Sequence, residues 1–220
     1  MFYFVKTPWW LKLLYPTCIW QVKDTKKIIY LTFDDGPHPT ITPFVLDELK
    51  KYRATATFFC IGKNVVQYND IYRRITTEGH TIANHTHNHL NGWKTNDDVY
   101  VENIAEAKKH IDSALFRPPY GRIKKSQLKR LATKKIQSHI IMWSVLSGDF
   151  DKKLTPEKCL ANVINNAKNG SIVVFHDSEK AFERLRYALP VVLEYFSTRG
   201  FSFEKIDADK LQRDRQQLVK

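Results

Sequence analysis

Short apolar runs with strand character recur along this chain with helical stretches between them, and that alternation restricts the fold more than any other feature. Lys27–Phe33, Thr57–Ile61, Thr81–Asn84, Ser138–Val145, Ser171–Phe175 and Phe201–Lys205 read as strands, with Leu115–Arg117 as a brief extended piece. Thr42–Tyr52 places Phe44, Val45, Leu49 and Tyr52 at helical spacing. Val65–Glu78, Asp97–Ala114, Ser126–Lys134, Pro156–Ala167 and Ala181–Arg199 read as further helices, with Thr155 capping the one that Pro156 begins. Roughly seven strands separated by helices are the pattern of a parallel sheet with crossover helices. Continuous apolar runs such as "SIVVF" suit strands buried on both faces. An open doubly wound sheet and a (β/α) barrel both satisfy this pattern.

Polar residues fall on one side of strand after strand. "IIYLTF" leads into Asp34-Asp35, "TIAN" into "HTHNH", "LF" into "RPPYG", "IIMWSV" into "LSGDF", and "IVVF" into His176-Asp177. In parallel α/β architectures the strand C-termini converge on one face, where active sites are built. Incidental surface polarity would not repeat at five strand ends.

Asp34 and Asp35 point to opposite sides if strand geometry continues, so one can reach a metal while its neighbour reaches a proton. His85 and His89, four apart, share a face on a helical turn, which suits two imidazoles on one ion. His87 then points elsewhere, and Thr86 excludes the HExxH metalloprotease pattern. With a carboxylate from another strand end, the pair makes a two-histidine, one-carboxylate site with positions open to water. Arg117 is a permanent cation whose fork can orient a carboxylate. The prolines after it stiffen a loop from which Tyr120 could offer a backbone N–H to an oxyanion. His176 suits a general acid. His38, His80, His110 and His139 are read as structural or surface residues.

In this order, "TFDDGP", "HTHNH", "RPPYG" and "VFHD" resemble the polysaccharide deacetylases, the family related to nodulation protein B and chitin deacetylase, also called carbohydrate esterase family 4. The resemblance covers Thr32 to Asp177. It implies a distorted, incomplete (β/α)7-8 barrel, α/β in class, that hydrolyses acetyl groups on sugar polymers, most often N-acetyl. It also implies one divalent metal, zinc first, with cobalt, nickel or manganese as alternatives. By position, Asp34 matches the family's general base, Asp35, His85 and His89 its metal ligands, and Arg117 the arginine that tunes the base. Tyr120 matches the oxyanion donor and His176 the general acid, with Val174 lining the acetyl pocket and Trp143 on the substrate side. The fourth motif departs from the family: "WSVLSGDF" has Ser144 and Phe150 where Asp and Trp are common. Asp149 remains to pair with Arg117 or His176, and an altered rim with the chemistry retained is expected.

Length points to one catalytic domain over residues 1–220, with 1–25 as an aromatic arm and 208–220 as a charged tail. The start, "MFYFVKTPWWLKLLYPTCIW", is broken by Lys6, Pro8, Lys12 and Pro16 and lacks a cleavage site, so neither a signal peptide nor a membrane span is legible. It reads as an arm that packs its aromatics onto the domain, membrane contact being the less favoured alternative. That leaves a cytoplasmic or membrane-associated location. The formal charge of +12 is spread along the chain without a nucleic-acid motif, so the partner expected is an acetylated carbohydrate, not nucleic acid. Cys18, Cys60 and Cys159 show no CxxC spacing and read as buried thiols. Two rivals are a metal-dependent phosphodiesterase or other amidohydrolase, and a non-catalytic carbohydrate-binding relative. A dinuclear phosphodiesterase needs more ligands than the one three-residue set, and a non-catalytic relative would be expected to have lost Asp34 or His176.

Overall fold

A computed structural model describes residues 3–136 and 139–217, the last four by backbone alone. In chain order, its elements begin with α1 (Trp9–Leu14), β1 (Ile28–Asp34), α2 (Ile41–Lys51), β2 (Thr57–Cys60), α3 (Gly62–Gln67) and α4 (Asn69–Thr77). They continue with β3 (Thr81–Asn84), α5 (Asp97–Lys108), β4 (Leu115–Phe116), α6 (Lys125–Thr133), β5 (His139–Ile140) and β6 (Val145–Leu146). The last are α7 (Pro156–Ile164), β7 (Ile172–His176), α8 (Phe182–Ser197), β8 (Ser202–Phe203) and α9 (Ala208–Gln217).

The strands form one parallel sheet in the order β5-β4-β3-β2-β1-β7-β6, with β8 paired to the start of β1. The two edge strands do not pair with each other, so the barrel is incomplete, as expected. β1 is central and buried along its whole length. Its side chains alternate between two cores, as strand geometry requires. Ile29, Leu31 and Phe33 pack outward with α2 and α8 residues such as Val45, Leu49, Leu189 and Val192, while Ile28 and Tyr30 join the inner cluster with Phe59, Ile141 and Ile172. Thr32 and Asp34 continue that inner row. In the β1–β7 register Thr32 lies beside Val174 and Asp34 beside His176, so the inner row of β7 reaches the same place.

The N-terminal arm covers both open edges. Lys6 bridges to Val145 on β6, and Ile19 bridges to Ile141 just past β5. Cys18, Trp20 and Val22 are buried, but Trp9, Trp10, Leu13 and Leu14 are exposed, against the expectation that the arm packs its aromatics down. The charged tail expected from residue 208 is helical over Ala208–Gln217, with Leu211 buried against the inner core. All three cysteines are buried thiols.

Two expected elements are divided. The helix expected over Val65–Glu78 breaks at Tyr68, whose φ of −122° and ψ of 52° are non-helical. The strand expected over Ser138–Val145 becomes β5 and β6, and Ser138 lies outside the described residues. The physical reason is Arg117, whose Nε and Nη2 donate to the Ile141 and Met142 carbonyls at 3.2 and 3.0 Å. Those carbonyls serve the arginine instead of a continuous ladder.

Candidate active site

The strand ends meet around a cavity of about 800 Å³ lined by Asp34, Asp35, His85, His89, Val174 and His176. Tyr120, Trp143 and Phe150 also line it, together with residues of the N-terminal arm.

Asp34 ends β1 and is buried. Arg117, fully buried, donates from Nη1 to Asp34 Oδ1 at 2.6 Å and to Thr32 Oγ1 at 2.7 Å. Its guanidinium lies 3.9 Å over the Phe59 ring. Burial lowers the Arg117 pKa, and the Asp34 carboxylate opposes that effect. The fork thus has every side occupied, and it fixes the carboxylate it pairs with.

Asp35 does not continue the strand. Its φ is 83°, a left-handed conformation costly for a residue with a Cβ. Asn64 Nδ2 donates to the Asp35 carbonyl at 2.8 Å, and Ile61 N–H donates to the next carbonyl, of Gly36. The turn carries the Asp35 side chain towards His89, whose Nε2 lies 3.1 Å from Asp35 Oδ1, and His85, whose Nε2 lies 3.7 Å away. Burial alone would raise the Asp35 pKa, but His89, His176 and His85 together hold it well below the usual carboxylate range.

His85 and His89 do meet, though not on a helical turn. His85 follows β3, and the segment has positive φ at Thr86 (66°) and His89 (55°). Asn84 Oδ1 accepts from Thr86 N–H, and Asn103 Oδ1 accepts from the N–H groups of His87 and Asn88, which pins this loop. His85 Nδ1 lies 2.8 Å from the Arg117 carbonyl, which can only accept, so Nδ1 carries the proton and Nε2 keeps its lone pair. Burial pushes the His85 pKa down to about 4, so the ring is neutral at pH 7. A neutral imidazole with its far nitrogen anchored on a carbonyl is the form that binds metals.

Ligand atoms of Asp35, His85 and His89 all lie within 4.8 Å of one another. Asp35 Oδ1 is buried and accepts no hydrogen bond. An orphaned carboxylate oxygen between two imidazoles fits a divalent cation, and one oxygen with two nitrogens leaves positions open for water.

Beside Asp34 in the β1–β7 register, His176 ends β7. Its Nδ1 lies 2.7 Å from Asp149 Oδ1, and its backbone N–H donates to Asp149 Oδ2 at 2.7 Å. Asp149 therefore pairs with His176, and Arg117 is committed to Asp34. Burial would lower the His176 pKa, but Asp149, then Asp35 and Asp34, raise it to about 9, so the ring is protonated at neutral pH.

The fourth-motif departures separate. Ser144 turns away from the site: its Oγ bonds the Ile172 carbonyl and N–H, joining the stretch before β6 to β7. Phe150 is at the rim, 5.3 Å from the His176 ring and 5.1 Å from Tyr3. Tyr120, with φ 60°, lies over His89 with ring centroids 4.7 Å apart. Gly121 follows at φ 64°, and a Cβ there would come within 2.6 Å of Trp143.

Sequence reasoning passed over Asp177, Thr42, Asn64 and Arg184. Asp177 is buried, accepts from Thr42 Oγ1, and has its pKa raised to about 7, chiefly by burial. A Cβ on Gly36 would sit 2.0 Å from Asp177 Oδ2, so the glycine after Asp34-Asp35 makes room for this carboxylate. Arg184 Nε donates to the Asp149 carbonyl at 2.6 Å. The adjacency of His176 and Asp177 was visible; Thr42, Asn64 and Arg184 carry no local signal.

A family model described as polysaccharide deacetylase matches residues 21–139. The chain is 36% identical over 190 residues to a peptidoglycan-N-acetylglucosamine deacetylase of Bacillus cereus, covering 84% of this chain and 88% of that protein. It is 30% identical over 208 residues to a chitooligosaccharide deacetylase of Azorhizobium caulinodans, covering 84% and 96%. Among solved structures, it superposes on the Bc1960 peptidoglycan N-acetylglucosamine deacetylase, in complex with 4-naphthalen-1-yl-N-oxidanyl-benzamide, with a TM-score of 0.81 at 32% identity. That match covers 91% of this chain and 95% of the other.

Proposed function

The chain belongs to the polysaccharide deacetylase family, and we propose that it is a metal-dependent hydrolase removing N-acetyl groups from an amino-sugar glycan. One observation carries the reading: a three-residue ligand cluster in one cavity with a buried aspartate clamped by arginine and a histidine held protonated by a second aspartate. Asp35, His85 and His89 would hold the metal, zinc being the ion this nitrogen-and-oxygen set suits best. When bound, the metal supplies a Lewis acid for the acetyl carbonyl and makes a nearby water acidic.

The chain's own groups do the proton work. Asp34 takes a proton from the attacking water as its oxygen bonds to the acetyl carbon. Arg117 aims the Asp34 carboxylate, with Thr32 accepting from the same guanidinium nitrogen. The Tyr120 N–H donates to the developing oxyanion, a contribution of roughly 3 kcal/mol for donors of this kind. His176 gives its proton from Nε2 to the departing nitrogen as the C–N bond breaks, leaving acetate and a free amine. Val174 and Trp143 border the acetyl group, and Phe150 forms the sugar-side rim. The two proton carriers stand on neighbouring strands, one basic and one acidic, which is the division amide hydrolysis needs.

Acetate release from N-acetylglucosamine oligomers and peptidoglycan fragments tests the function. Activity should vanish on chelation and return with zinc; no acetate from any acetylated sugar with any divalent metal would refute it.

A pH profile tests the acid. A general acid works only while protonated, so kcat/KM should fall as pH rises through the His176 pKa. Asp149 is the main group holding that pKa up. Asp149→Asn should therefore move the alkaline limb down by about one pH unit or more. An unmoved limb would take the acid role away from His176.

A further inference from the structure

Helix α1, WWLKLL, buries none of its residues. Trp9 and Leu13, 73% and 69% exposed, are one turn apart, and neither lines the catalytic cavity. Trp10 and Leu14, also exposed and one turn apart, do line it, beside Leu11 and Tyr15. Exposed apolar side chains gathered like this mark an interaction surface.

The helix is held out on a fixed frame. Before it, Thr7 donates from N–H to the Ser144 carbonyl at 3.0 Å and from Oγ1 to the Trp143 carbonyl at 2.7 Å. After it, Ile19 donates to the Ile140 carbonyl and accepts from Met142 N–H. Within α1 only Leu11, half-buried, packs against the core, which leaves Trp9, Trp10, Leu13 and Leu14 facing outward.

The charge around it is positive. Lys6 and Lys168 are exposed, and both are close enough to Lys12 to add to the effect of burial in lowering its pKa. The whole chain carries +12. Trp and Leu flanked by lysines suit the headgroup region of a bilayer, where an indole has one face apolar and one edge wet. Across a two-fold contact between copies the same lysines would face one another, which disfavours self-association through this patch. No helix among the described residues is long and apolar enough to cross a membrane, so α1 would lie on the surface.

We propose that α1 seats the protein on an anionic lipid surface, with Trp9 and Leu13 entering the headgroup–acyl boundary and Lys6, Lys12 and Lys168 facing lipid phosphates. The catalytic cleft then opens beside the membrane, through the wall formed by Trp10 and Leu14. The docking stands apart from the deacetylase reading; only the description of the cleft as catalytic rests on it.

The test is sedimentation of the purified chain with vesicles of phosphatidylcholine containing about one-third phosphatidylglycerol, and with phosphatidylcholine alone. The chain should pellet with the anionic vesicles, and far less with neutral ones or in high salt. Trp9→Ser with Leu13→Ser should lower the partition coefficient by about tenfold or more. Lys6→Gln with Lys168→Gln should lower it on anionic vesicles alone. Both double variants should keep wild-type kcat/KM on a soluble N-acetylglucosamine oligomer, which separates failed docking from a failed catalyst. Equal pelleting of the Trp9/Leu13 variant and the wild type would overturn the proposal. So would no binding to anionic vesicles, or a dimer without vesicle binding that this variant disperses.

Discussion

Asp34→Asn is expected to lower kcat by about a thousandfold, within the range for losing a positioned general base, while the protein folds and keeps its metal. Asparagine preserves the shape and leaves an oxygen where Arg117 Nη1 donates. It cannot accept the proton from water. Arg117 would keep its bonds to Thr32, Ile141 and Met142, so it is not stranded, although the variant should be less stable than the wild type. Circular dichroism and steady-state acetate release on the same zinc-loaded sample check both halves. Near-wild-type turnover would remove Asp34 from the role of base.

The second large effect concerns stability. Arg117→Met should cost about 3–5 kcal/mol, the range for breaking a buried ion pair from one side. The native arginine is fully buried and bonds a carboxylate, a hydroxyl and two backbone carbonyls. Methionine fills part of the volume but leaves Asp34 as an unpaired carboxylate, with the Ile141 and Met142 carbonyls also deprived. Urea unfolding should show the midpoint lowered with an unchanged slope. A loss below about 1 kcal/mol would mean that the pair does not brace the interior.

How much of this was legible from sequence depended on whether a feature was local. β1 was readable because Ile28 to Phe33 is apolar except for Thr32 and rich in β-branched and aromatic residues. The convergence of Asp34, Asp35, His85, His89, Arg117 and His176 followed from strand polarity and from the order of the motifs. What failed to show were arrangements fixed across the fold. The His85–His89 loop was expected to be helical, yet Asn103, from α5, bonds its backbone and helps hold the positive φ values. The strand around Ile141 divided because a side chain more than twenty residues upstream claims its carbonyls. The choice between Arg117 and His176 as the partner of Asp149 needed distances, and 2.7 Å to His176 decided it.

The N-terminal arm shows the same limit from the other side. Its aromatic content suggested packing, and Trp20 with Cys18 does pack. Between the two staples Leu11 and Tyr15 pack against the same cluster, while Trp9, Trp10, Leu13 and Leu14 stay exposed, because the backbone of residues 5–7 and 19 is what occupies the sheet edges. Apolar composition alone could not distinguish these two fates.

Asp34 as base and Asp35 as ligand, side by side at a single metal, are the centre of the proposed mechanism. Activity recovered by chelated protein, plotted against zinc equivalents, tests this most directly. Acetate release should rise linearly and break at one zinc per chain, and Asp35→Asn should show no such break at stoichiometric zinc. A break at two per chain, or full recovery by Asp35→Asn at one equivalent, would contradict it.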